Sequence, residues 1–79
     1  MPRYFFHVYS DTVAIDDEGQ ELDSLTLARE AAIRAAREFA AEEITRCGQI
    51  SFRHRIEVED HNGRPIFTLP FSAAFKVVA

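Results

Sequence analysis

The chain has 79 residues and a formal charge of −4, from nine Lys and Arg against thirteen Asp and Glu. A length this short supports one domain over residues 1–79, burying roughly 60 % of the surface its unfolded chain exposes. A net acidic domain lacks the broad basic surface of non-specific nucleic-acid binding, and no run of about 18 apolar residues offers a membrane span. Cys47 is the only cysteine, so neither an internal disulfide nor a Cys-based zinc site can form. The strand pattern starts almost at Met1, which leaves no room for a leader, and the chain is expected to be cytoplasmic.

Tyr4-Phe5-Phe6-His7-Val8-Tyr9 is rich in strand formers and apolar on both alternating faces, as a central strand is. Val13-Ala14-Ile15 resumes after the turn Ser10-Asp11-Thr12 and should complete a hairpin. Asp16-Asp17-Glu18-Gly19 follows as an acidic turn in which Gly19 is free to take positive φ.

Asp23 or Ser24 can cap a helix that runs to about Cys47, with Gly48 as its stop. If Asp23 is the cap, Leu22 and Leu27 are placed for a hydrophobic staple. A turn of about 100° per residue sets Leu25, Ala28, Ala32, Ala35, Ala36 and Phe39 on one stripe. Glu30, Arg34 and Arg37 then face away, and Glu30–Arg34 and Glu42–Arg46 have the favourable order for ion pairs. The stripe is mostly alanine, so the helix can approach a sheet closely and the sheet's own Phe residues fill the volume.

Phe52, His54, Ile56 and Val58 alternate with Arg53, Arg55, Glu57 and Glu59, a strand with one face buried and one solvated. Asp60-His61-Asn62-Gly63 is a hairpin turn. The last strand starts near Ile66 and sets Phe67, Leu69, Phe71, Ala73, Phe75 and Val77 on one side. Pro65 and Pro70 make it an edge, broken near Pro70. The expected fold is α+β, a ββαββ order with an antiparallel four-stranded sheet and one long helix packed on one face.

No catalytic, cofactor-binding or metal-binding residue emerges from these patterns. The carboxylates of Asp16, Asp17, Glu18 and Glu21 surround a Gly turn, but their spacing is not that of a calcium loop, and a solvated acidic turn explains them. His7, His54 and His61 form no short ligand pair. Cys47 stands at a helix C-terminus, where the dipole opposes a thiolate. Arg53, Arg55 and Arg64 beside aromatic residues would suit single-stranded nucleic acid, yet Glu57 and Glu59 share the face of Arg53 and Arg55.

Three stretches carry a family resemblance: Met1-Pro2-Arg3-Tyr4-Phe5-Phe6-His7, Asp17-Glu18-Gly19-Gln20-Glu21-Leu22 and Leu27-Ala28-Arg29-Glu30-Ala31. With the turn Asn62-Gly63-Arg64-Pro65, the chain resembles a family of small bacterial proteins known as a domain of unknown function. The resemblance covers nearly the whole chain and implies a stand-alone bacterial domain, with no catalytic residue to carry over. The chain departs from it at Asp23-Ser24, where relatives often have a Pro before an Asp, and only the helix cap is affected. In architecture the chain is also similar to the partial RNase-H-like domain of HicB-type antitoxins. There a hairpin likewise leads through an acidic segment into an Ala- and Glu-rich helix.

The expected role is a non-enzymatic binding module that self-associates through its sheet and docks a further macromolecule, a protein rather than a nucleic acid or a membrane. Phe5, His7, Tyr9, Arg53 and Arg55 are the expected interface, on the face turned from the helix if Tyr4, Phe6, Val8, Phe52, Ile56 and Val58 pack beneath it. The opposite register of the first strand would exchange Phe5 and Tyr9 for Tyr4, Phe6 and Val8. The alternative role is a partner-masking domain of the HicB antitoxin kind, or an RNA-related one; no DNA-binding motif after Ala79 supports autoregulation.

Overall fold

The computed structural model describes residues 1–79. Its order is β1 (Arg3–Tyr9), β2 (Val13–Ala14), β3 (Gln20–Glu21), α1 (Leu25–Cys47), β4 (Arg55–Asp60) and β5 (Pro65–Pro70), followed by a 3-10 turn over Phe71–Ala73. All strand pairs are antiparallel, in the order β2-β1-β4-β5, and β3 also pairs with β1. The architecture is therefore α+β, with one long helix and a sheet of five strands rather than four. No helix is long and apolar enough to cross a membrane.

The extra strand arises because residues 13–21 return along one edge of β1 in two contacts. Val13 and Ala14 pair with Tyr9 and Val8, while Gln20 and Glu21 pair with Tyr4 and Arg3. On its other side β1 pairs with β4 along six positions, from Tyr4↔Asp60 to Tyr9↔Arg55. The strand that is apolar on both faces is thus central.

Ser24, not Asp23, caps α1: its side chain accepts the N–H of Leu27 at 3.2 Å. The Leu22–Leu27 staple spacing is lost with that assignment. Gly48 closes the helix at φ 72°, donating its N–H to Ile44 O at 2.8 Å. The buried stripe is Ala28, Ala31, Ala32, Ala36 and Ala40. Leu25, expected on it, is 52 % exposed. Arg37 is exposed, as expected, and its Nε also donates to Ala74 O at 2.6 Å. Arg46 pairs with Glu43 rather than Glu42.

Large side chains of the sheet and the 3-10 turn fill the space the alanines leave. Tyr4 and Phe6 of β1, Ile56 and Val58 of β4, Leu69 of β5 and Phe71 form one core with the alanine stripe. Full burial of Phe71, Ile56, Leu69 and Val58 stabilises by about 1.5–3 kcal/mol each.

Both ends of the second hairpin differ from the alternating pattern. β4 begins at Arg55, because Phe52 and Arg53 form a turn, and Phe52 is 52 % exposed rather than packed under the helix. β5 stops at Pro70. Phe71 N–H then closes onto His54 O at 2.9 Å, and the chain curls so that Phe71 and Ala74 drop into the core. The expected run through Ala73, Phe75 and Val77 is therefore not a strand.

Candidate functional site

The helix covers one side of the sheet, and the register decides what stands on the other. Tyr4 and Phe6 lie in the core and Val8 packs against it, so Phe5, His7 and Tyr9 face away, opposite Glu59, Glu57 and Arg55. Val13 stands opposite Tyr9, and Thr68 and Pro70 stand opposite Glu57 and Arg55. The Arg55 guanidinium lies 4.4 Å from the centre of the Tyr9 ring, and its Nε donates to Glu57 Oε2 at 2.7 Å. Tyr9, Arg55 and Glu57 thus form one half-buried cluster carrying both signs of charge.

His7 shares this side but is buried. Because β2 and β3 meet β1 only near its ends, the middle of that edge lacks a strand partner. Asp16 fills the gap. Its Oδ2 accepts the N–H of Phe6 at 3.0 Å, and its Oδ1 accepts those of Glu18 and Gly19 at 3.1 and 3.0 Å. The N–H of Asp16 donates to His7 Nδ1 at 3.0 Å. A backbone N–H can only donate, so the His7 proton resides on Nε2, which donates to Glu59 Oε1 at 3.1 Å. Burial raises the Asp16 carboxyl, but the N–H groups of Gly19, Phe6 and Glu18 and the neighbouring His7 outweigh it and hold it below its ordinary value.

The acidic turn is therefore partly structural. Arg3 adds to it, donating to Glu18 O at 2.6 Å and pairing with Glu21 at 3.0 Å. Gly19, at φ 72°, lies against Phe5, whose ring would be 2.9 Å from any Cβ there. No group of three or more His, Cys, Asp and Glu side chains gathers where a metal ion could be held. The Asp-x-x-Gly spacing of Asp16 and Gly19 is the sequence signal for this side-chain turn.

Arg53, the fifth expected interface residue, is off the sheet. It lines a cleft of about 480 Å³ together with Asp11, Glu43, Ser51, Phe52 and His54. His54 is 5 % exposed on the helix side, with the rings of Phe39 and Phe71 edge-on at 6.3 and 5.6 Å. Neither ring nitrogen has a hydrogen-bond partner, and Asp11 Oδ1 stands 3.7 Å from Nε2, beyond bonding distance. Asp11 gave no local signal; the Tyr9↔Arg55 register brings the residues after Tyr9 beside those before Arg55. The cleft joins His54 to Asp11 and Glu43, not to the acidic turn.

The three arginines considered for nucleic acid lie apart. Arg53 is in the cleft turn, Arg55 is engaged by Tyr9 and Glu57, and Arg64 sits in the hairpin turn beyond Asp60, whose Oδ1 accepts its N–H at 3.0 Å. Glu57 and Glu59 lie between them along β4.

Among known proteins, no curated relative and no solved structure matches the chain. Residues 3–72, which hold the whole sheet, the helix and the start of the 3-10 turn, match the family described as a domain of unknown function (DUF6894), and the chain belongs to that family.

Proposed function

We propose that the chain is a non-enzymatic binding module that self-associates through its sheet and offers the helix-free face to another macromolecule. The observation that supports this reading is the one-sided cover of the sheet. Beyond the helix side stand Tyr9, Arg55 and Glu57 as a half-buried cluster, Phe5 against Gly19, and Val13 at 55 % exposure. An aromatic anchor beside an arginine, with polar neighbours of both signs, is the composition of a protein-binding patch rather than of a polyanion site. Self-association also suits a domain whose own core is small. The proposed setting is bacterial, as the family resemblance implies, and the cytoplasm is the compartment expected from the sequence.

The test is solution mass by light scattering over a concentration series. A species of twice the 9.0 kDa chain mass is expected. A 9.0 kDa particle at every concentration would overturn self-association.

An RNA-related role is the second reading, and the Tyr9–Arg55 stack is what favours it. Glu57 and Glu59 weigh against it, since they set negative charge along the path a phosphate backbone would take past Arg55. Anisotropy titration with a labelled single strand should show no saturable binding; tight, salt-sensitive binding would favour this second reading.

A further inference from the structure

The backbone of His54 is bonded on both sides while its imidazole is not. Its N–H donates to Ser51 O at 3.3 Å, and its O accepts the N–H of Phe71 at 2.9 Å. Ser51 Oγ accepts the N–H of Arg53 at 3.1 Å, so the turn that leads into β4 is closed by its own bonds. Within this fixed frame His54 is 5 % exposed and neither ring nitrogen has a partner. Buried polar side-chain atoms nearly always have one, and a ring left without calls for a reason beyond packing.

Nε2 is the nitrogen on the cleft side, since Asp11, which lines the cleft of about 480 Å³, stands 3.7 Å from it. That volume is in the range of small-molecule sites, roughly 300–1,000 Å³. Three segments meet there. The turn after β1 brings Asp11, the last turns of α1 bring Glu43, and the connection to β4 brings Ser51, Phe52 and Arg53. Glu43 is already paired with Arg46. Asp11 has no partner within bonding distance, its side chain is 96 % exposed, and Arg53 makes no ion pair. The cleft is left with one free charge of each sign.

A simple cation would suit Asp11 and be repelled by Arg53, and a simple anion the reverse. A molecule carrying both charges suits both. With its proton on Nδ1, His54 presents a lone pair at Nε2, so nitrogen and carboxylate together accept from an ammonium. The negative end of the α1 dipole, beside Glu43, favours the same pole. The Arg53 guanidinium and the Ser51 hydroxyl can donate to a carboxylate. Phe52, 52 % exposed, adds an apolar wall.

We infer that this cleft binds a small zwitterion, a free amino acid with an apolar side chain, its ammonium held by His54 Nε2 and Asp11 and its carboxylate by Arg53. Asp11 stands at the tip of a turn closed by Ser10 N–H on Thr12 O at 2.9 Å, so only its exposed side chain has to turn to admit the ammonium. The site uses no residue of the helix-free face and is independent of the self-association proposed above.

Three probes titrated into the full chain test this: L-leucine, L-leucinamide, which lacks the carboxylate, and N-acetyl-L-leucine, which lacks the ammonium. Binding is read by NMR at the His54 ring and at the Ser51 and Arg53 amides. L-leucine is expected to bind saturably with a dissociation constant of about 1 mM or lower, and each blocked analogue roughly tenfold or more weakly. Asp11→Asn and Arg53→Gln, both at exposed positions, should each weaken L-leucine roughly tenfold, with the circular dichroism of the fold unchanged. His54→Leu should lose the binding while keeping its stability. No saturable shift with L-leucine up to about 10 mM overturns the inference. Equal binding of either blocked analogue also overturns it, by showing a site for one charge only. Binding of L-leucine that survives Asp11→Asn and Arg53→Gln unchanged places the amino acid elsewhere and overturns it as well.

Discussion

Asp16 and His7 hold each other across the edge of the sheet: the N–H of one ends on Nδ1 of the other at 3.0 Å. The carboxylate of Asp16 meanwhile takes the N–H of Phe6, the residue before His7, at 3.0 Å. A single side chain thus stands in for the missing middle of a strand. It ties the turn to β1, and through His7 Nε2 it ties both to Glu59 on β4.

Removing that side chain should cost more than an ordinary exposed aspartate does. Asp16→Ala leaves the N–H groups of Phe6, Glu18 and Gly19 to water or to nothing, and destabilisation of about 1–2 kcal/mol is expected, after allowance for the turn's exposure. Asp16→Asn keeps one acceptor oxygen and should lose less. Urea unfolding followed by circular dichroism measures both. A change within 0.5 kcal/mol, the range of an ordinary surface position, would contradict the bridging role.

Acid should weaken the fold through the same residue. The folded state holds Asp16 below its ordinary value of 3.8, burial being outweighed by the N–H groups of Gly19, Phe6 and Glu18 and by His7. Asp60 is also lowered, first by the N–H of Arg64 against slight burial, then by Asn62, His61 and Arg64. A depressed folded-state carboxyl means that the unfolded chain binds more protons in acid. The stability it contributes is therefore present above the unfolded value of 3.8 and is lost as pH falls through the lower folded value. Melting temperature should drop on going from about pH 5 to about pH 2.5, and Asp16→Asn should flatten that drop. Equal slopes in the two proteins would show that other groups carry it.

Gly19→Ala should be the most damaging glycine substitution. Gly19 has φ 72°, and an added Cβ would lie 2.8 Å from the backbone oxygen of Tyr4 and 2.9 Å from the Phe5 ring. Left-handed strain and a backbone clash together lead to an expected loss of about 2–4 kcal/mol. Gly48 has the same φ with nothing within 4 Å, so Gly48→Ala should cost only about 1 kcal/mol. Thermal unfolding of the two variants side by side reads the difference. Equal losses would mean that the turn shifts to make room.

Local patterns carried the parts of this fold that local forces decide. The two-faced run Tyr4–Tyr9 is central, Gly48 stops the helix, and Ile56 and Val58 alternate inward with Glu57 and Glu59 outward. What the sequence left open depends on contacts between distant residues. β3 exists only because Gln20 and Glu21 find Arg3 and Tyr4, and neither residue has strand propensity of its own. Phe52 and Arg53 fit the alternation of β4, yet they turn away where no partner strand extends to hold them. Phe71 leaves the strand pattern because Pro70 ends the ladder and the alanine stripe of α1 leaves a hole to fill. The expected interface divides on the same ground: Phe5, Tyr9 and Arg55 stand on the helix-free face, His7 is locked under the Asp16 turn, and Arg53 lies in the cleft.

His54 offers the sharpest contrast between packing and hydrogen bonding. Its ring fills a slot beside Phe39 and Phe71, while both nitrogens lack partners and Asp11 stops 3.7 Å short. A buried polar group left unbonded costs about 1–3 kcal/mol, so an apolar side chain that fills the slot should be tolerated or better. His54→Leu is accordingly expected to leave stability unchanged or raise it by about 1 kcal/mol, and Asp11→Ala to leave it unchanged. Urea unfolding of the single and double variants gives the coupling directly. If His54→Leu instead destabilises, and Asp11→Ala removes most of that effect in the double variant, the two side chains bond in solution. The cleft would then be closed by that bond.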